Sequence, residues 1–202
     1  MKTKTIAVLL TFLAAVNFSF APPAPVKYKV DTKQSTLLWT GKKVTGQHNG
    51  TISIESGELV ADDKSIKEGS FNIDVKSITV TDLTDATSNQ KLVNHLKNDD
   101  FFGVEKFPTA SFALTSATLR SGNEYLVKGR LTIKGKTNDI EFPATISKDG
   151  KTIVATAKIT VDRAKYDIRY GSKSFFDNLG DKYIYDDFEL DLKLVASSQA
   201  GA

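Results

Sequence analysis

The side chains that could do chemistry in this chain of 202 residues are few and scattered. Cysteine is absent, which excludes a thiolate nucleophile, a cysteine-ligated zinc, a disulfide framework and a lipidated N-terminal cysteine together. His48 and His95 are the two histidines; they stand forty-seven residues apart, and neither falls in a metal-spaced motif. No G-x-S-x-G elbow and no glycine-rich phosphate loop occurs. The carboxylate pairs Asp99-Asp100 and Asp186-Asp187 lie at element ends, where a solvated turn explains them as well as acid–base work does. Asn49-Gly50-Thr51 spells a glycosylation sequon, but Gly50 reads better as a turn residue. An enzyme built on His95 and Asp99 is the weakest of the available readings, and the residues predict neither metal nor cofactor.

Charge and hydropathy narrow the partners further. Lys+Arg 27 against Asp+Glu 24 gives +3. Lys2 and Lys4 precede an eleven-residue apolar stretch over 6–16, and Ser19-Phe20-Ala21 supplies the small residues that a signal peptidase reads. Residues 1–21 are therefore expected to be a secretory signal, too short in its apolar core to span a bilayer. Its removal leaves the charge near +1. With no concentrated basic surface, nucleic acid is not an expected partner. The mature chain is expected to be periplasmic or secreted and not membrane-spanning, with a Pro-rich leader over 22–27, one domain over 28–195 and a small-residue tail over 196–202.

The elements that must position any site follow a period of two. Leu37 and Trp39 fit one strand, Ile52 and Ile54 a second, and Phe71, Ile73 and Val75 a third. Phe112 and Leu114 begin another after Pro108; Val127, Leu131 and Ile133 share a parity, as do Ile140, Phe142, Ala144 and Ile146. Ala155, Ala157, Ile159 and Val161 make the seventh strand, and Phe188, Leu190, Leu192 and Leu194 the cleanest, against Glu189, Asp191 and Lys193. Turn residues separate these runs at Ser56-Gly57, Ser121-Gly122-Asn123, Lys148-Asp149-Gly150 and Gly180-Asp181. About eight strands result, with no crossover helices, each apolar on one face. Such strands must close on themselves or stack. Leu92, Val93 and Leu96 give a short helix over 88–98 within a long connection, and a second short turn is expected over 174–179.

Four ordered motifs then carry a resemblance. The stretch H-L-K-N-D-D-F-F-G-V-E-K-F-P over 95–108, followed by Phe112, resembles the helix-to-strand signature of the YceI-like family of exported proteins. Val44-Thr45-Gly46 with Gly50, G-R-L-T-I-K-G-K-T over 129–137 and D-R-A-K-Y-D-I over 162–168 resemble three further family motifs in the right order. The resemblance implies an all-β fold, an eight-stranded antiparallel lipocalin-like β-barrel with a short helix in a long connection. It also implies an apolar interior that holds a polyisoprenoid lipid or a quinone-like amphiphile. An eight-stranded barrel is wide enough for one slender ligand.

On that expectation, shared parity points Leu37, Trp39, Phe71, Ile73, Val75, Leu131, Ile133, Phe142, Ile159, Val161, Phe188, Leu190 and Leu192 into one interior. Phe101, Phe102, Phe107 and Phe112 cluster beside the helix that would close one end, as packing or as a wall against a prenyl chain. The polar end of such a ligand needs donors at the mouth. Arg163 is the first candidate, followed by Tyr166, Arg169 and His95. Arg163 could instead pin a loop by pairing with Asp167 or Asp181, and His95 could serve a loop rather than a ligand. Two other barrels stay open: a closed core serving a structural or protein-interaction role, and an outer-membrane barrel. The densely charged strand faces and the lack of aromatic girdles argue against the latter.

Overall fold

The computed structural model describes residues 24–62 and 65–199, so the expected signal over 1–21, with residues 22–23, 63–64 and 200–202, lies outside the described residues. Ten antiparallel segments form one sheet: β1 (Val26–Val30), β2 (Thr36–Lys43), β3 (Gly46–Thr51), β4 (Ser53–Ala61), β5 (Ile66–Asp74), β6 (Thr109–Ser121), β7 (Glu124–Ile133), β8 (Lys136–Asp149), β9 (Thr152–Asp162) and β10 (Ile184–Ser198). They occupy eight strand positions. β10 pairs along its first part with β2 and along its last three residues with β1, so β1 and β2 are two halves of one broken strand. Asp31 makes the break: its carboxylate accepts the N–H of Lys33 and Gln34 at 2.9 and 3.1 Å, a local turn that interrupts the ladder. β3 and β4 are likewise one strand parted only at Ile52.

Each position neighbours the next in sequence, and β10 returns to the first, which closes an eight-stranded up-and-down barrel. Closure removes every long open edge. The eight runs with period two are these eight positions. At the chain ends the boundaries differ from expectation: Val26 and Lys27, assigned to the leader, belong to β1, and residues 196–198, assigned to the tail, extend β10. Ala196 faces Val30 and is wholly buried, so the ladder continues past Val195.

The connection from β5 to β6 crosses one barrel mouth, here the upper end. It carries α1 (Ala86–Lys97), which starts where Asp85 accepts the N–H of Ser88 at 2.8 Å and stops at Asn98. α1 lays Leu96, with Leu92 and Val93, on the upper core. Before the helix the chain runs beside β3, with Thr79 and Thr81 donating to the carbonyls of Thr51 and Asn49 at 2.9 Å each. Gly50 is required there for space. A Cβ on it would stand 1.8 Å from the Thr79 carbonyl oxygen, the oxygen that accepts from Trp39 Nε1 at 2.9 Å. Between β9 and β10 lie a turn at Arg163–Tyr166, the left-handed residues Asp167, Gly171, Asn178 and Gly180, and a second turn at Gly180–Lys182. The lower end is filled by Tyr28, Val30, Ala61, Ile153 and Ala196.

Candidate functional site

The inward face of the barrel does not pack solid. Two apolar voids of about 120 Å³ each lie one above the other. Leu37, Ile73, Leu131 and Leu190 line both and form the waist between them. The lower void owes its existence to small inward residues: Ala117, Ala144, Ala155 and Ala157 stand where larger side chains would meet across the barrel. The core is thereby left incompletely packed. Phe71, Phe112 and Phe142 pack in a row along its wall, with ring centroids 6.2 and 5.8 Å apart. An apolar cavity of this scale stays dry and accepts an apolar guest.

The sequence-predicted interior is largely brought together. Leu37, Phe71, Ile73, Leu131, Phe142, Ile159, Leu190 and Leu192 line the lower void. Leu37, Trp39, Ile73, Val75, Leu131, Ile133, Phe188 and Leu190 line the upper one. Val161 is the exception: it is buried, but it adjoins the turn at the end of β9 and packs within the core cluster rather than against the void. Of the four clustered phenylalanines, Phe101 and Phe102 line the upper void and Phe112 the lower. Phe107 lines neither. Its ring rests outside on Gly135 in the β7–β8 turn, where a Cβ would come within 3.0 Å of it.

Of the polar candidates, Arg163 alone reaches the cavity, and among the described residues it is the one charged side chain in the lining of either void. It is 4% exposed. Its Nε donates to the Tyr185 carbonyl at 3.2 Å, Nη1 to those of Ile168 and Tyr170 at 2.9 Å each, and Nη2 to that of Ile184 at 3.1 Å. Nη2 also stands 3.3 Å from Asp186, so the carboxylate partner is neither Asp167 nor Asp181. Burial lowers the Arg163 pKa from the ordinary arginine range, against the opposing pull of Asp186 and Asp162. Tyr166 is buried beside it without lining the void, and burial raises its phenol pKa. Arg169 is exposed, bound to Asp167 at 2.5 Å and laid over the Phe175 ring. His95 lies edge-on to Tyr170 and Phe101 at 4.4 and 5.0 Å, with Nε2 3.5 Å from Asp100.

The sequence reading missed Ile54, Leu59, Leu114, Ala144, Ala155 and Ala157 as lining residues. For Ala144, Ala155 and Ala157 the parity signal was present. For Leu59 it was hidden, because an irregularity between Ile54 and Ser56 shifts the register within β4.

Outward-facing residues carry ion pairs such as Lys128–Glu141 at 2.9 Å and Lys158–Asp191 at 3.5 Å. Charge outside and hydrocarbon inside is the reverse of a lipid-embedded barrel. Among the described residues no helix is long and apolar enough to cross a membrane, and no group of three or more His, Cys, Asp or Glu is placed to hold a metal.

The class the fold defines is an eight-stranded antiparallel barrel, charged outside and apolar within. The sequence matches the YceI-like domain over residues 28–196, and the chain belongs to that family. A UPF0312 protein of Photorhabdus laumondii is 28% identical over 102 residues, half of this chain and half of that one. Protein YceI of Salmonella arizonae is 26% identical over 144 residues, 68% of this chain and 71% of its own. Among solved structures, Burkholderia cenocepacia BcnA superposes with a TM-score of 0.67 at 24% identity, covering 83% of this chain and 99% of that one. A polyisoprenoid binding domain from Saccharophagus degradans gives 0.61 at 16%, covering 86% and 99%. These likenesses show the fold.

Proposed function

We propose that this chain is an exported, non-catalytic binding protein that holds an isoprenoid lipid or a similar slender amphiphile, such as a quinone, inside the barrel for carriage or storage. The observation that carries the reading is the pair of stacked voids joined at a shared waist and lined, but for Arg163, by uncharged and overwhelmingly apolar side chains. Affinity there comes from burying hydrocarbon at about 25 cal/mol per Å². The name of the Saccharophagus domain supports the ligand class. The apolar stretch behind Lys2 and Lys4 supports export. Mass spectrometry of organic extracts from natively purified protein tests the ligand, and N-terminal sequencing tests the export. Recovery of an empty barrel that no prenyl lipid stabilises would falsify the binding reading; an intact Met1 on a membrane-bound product would end the export reading.

The polar end of the ligand belongs in the upper void, because the lower one offers it no polar side chain. Arg163 has its N–H groups committed to carbonyls, so it acts on a head group through charge. Arg163→Met is expected to weaken a prenyl phosphate more than the matching prenyl alcohol. An unchanged ratio of the two affinities removes Arg163 from the head-group site.

A further inference from the structure

Among the described residues every exposed aromatic side chain lies in one segment: Tyr170, Phe175, Phe176 and Tyr185 are 47, 39, 49 and 47% exposed. That segment is the loop from β9 to β10 together with the start of β10, which carries Tyr185. Its two ends are held together by one side chain, since Arg163 bonds the carbonyls of Ile168 and Tyr170 on the way out and of Ile184 and Tyr185 on the way back. Ser174 fixes the middle by donating to Asp186 at 2.7 Å. A compact loop with clamped ends that turns phenyl rings to solvent is stable without hiding them, so their exposure needs another account.

Position supplies that account. Ile184 and Tyr185 line the upper void, and Tyr170 packs on Phe101, which lines it too. Ile184 also pairs with Lys43, which brings the exposed Val44 of the β2–β3 turn alongside. The rings therefore form a rim around the cavity mouth. Side-chain type identifies what the rim meets. Over 167–187 three basic residues stand among five carboxylates, Arg169 being paired with Asp167, and two of the cations lie on rings, Arg169 over Phe175 and Lys173 over Tyr183. Aromatic rings flanked by cations with long aliphatic stems match the head-group zone of a bilayer, where rings sit at the boundary and ammonium groups reach phosphate. With carboxylates outnumbering cations along the segment, ring insertion, not electrostatics, is the attraction.

We infer that the 168–184 loop docks the barrel mouth on a lipid bilayer surface, so that a ligand passes between membrane and cavity without crossing water. The inference rests on the lipid-binding reading for its purpose but not for its test. The purified chain is mixed with vesicles of phosphatidylethanolamine and phosphatidylglycerol in equal parts and followed by flotation. The chain is expected to float with the vesicles in low and in high salt. Phe175→Ser combined with Phe176→Ser should weaken partitioning about tenfold or more, since tenfold is ~1.4 kcal/mol. Phe176→Ser alone should give an intermediate loss, and Leu119→Ser, at the opposite barrel end, none. Circular dichroism checks that each variant is folded. Absence of flotation, equal flotation of the double variant, or concentration-dependent self-association through the rings without vesicle binding overturns the inference. Flotation by a chain whose extracts hold no lipid keeps the docking surface and rejects the carrier reading.

Discussion

Arg163 and Gly50 show how much of this barrel hangs on single residues. Replacing Arg163 by methionine leaves four carbonyls, buried or partly buried, without their donor and Asp186 without its cation. Removing one partner of a buried ion pair costs about 3–5 kcal/mol. Urea unfolding should report a loss in that range with an unchanged m value, and a loss below about 1 kcal/mol would deny Arg163 its role as clamp. Gly50→Ala drives a methyl group into the Thr79 carbonyl and so breaks the bond from Trp39 Nε1. Its expected cost is about 2–3 kcal/mol. A red shift of the emission from Trp39, the one tryptophan, should accompany it, because the indole loses its fixed partner.

At the scale of elements, the cavity depends on small side chains and the mouth on a capped helix. Ala157→Leu should fill the lower void, raise stability by about 0.5–2 kcal/mol and abolish lipid retention, to be checked by thermal melts beside mass spectrometry of extracts. A variant that still retains lipid would place the ligand elsewhere. Asp85→Ala removes the α1 cap and should cost about 1 kcal/mol in denaturant titration. The eight strand positions were legible because a barrel wall is buried on one face only, so inward residues such as Phe188, Leu190 and Leu192 recur at every second place. The break at Asp31 and the register shifts within β4 and β6 were not legible, since each depends on pairing with another strand. Arg163 was legible as a cation at a strand end, but its acceptors are main-chain oxygens brought near by the returning loop. Side-chain spacing carries no trace of such partners.

For the molecule as a whole, acid sensitivity follows from its carboxylates. The Gln34 side chain and the N–H groups of Gln34 and Lys33 hold Asp31 below the usual range, as Ser88 does Asp85, Arg169 does Asp167 and Lys42 does Glu189. Burial raises the Asp82 pKa, but hydrogen bonds from the Asn49 N–H and His48 outweigh it and leave a net lowering. Folded values below unfolded ones give stability that is fully present above about pH 4 and is lost as pH falls through the depressed values. The melting temperature should hold across neutral pH and drop below about pH 4; a flat profile down to about pH 2 would contradict this. A saturating prenyl lipid at about 100 times its Kd should add ~2.7 kcal/mol, read as a higher melting temperature.

The seam between β10 and the broken first strand also sets an order of events in the cell. A chain emerging N-terminus first presents β2 and β9 with no common neighbour until residues 184–198 appear. The wall therefore cannot shut while synthesis is under way, and the apolar faces stay on an open thread until then. Completion of the last fifteen-residue strand is the step that turns the thread into a vessel.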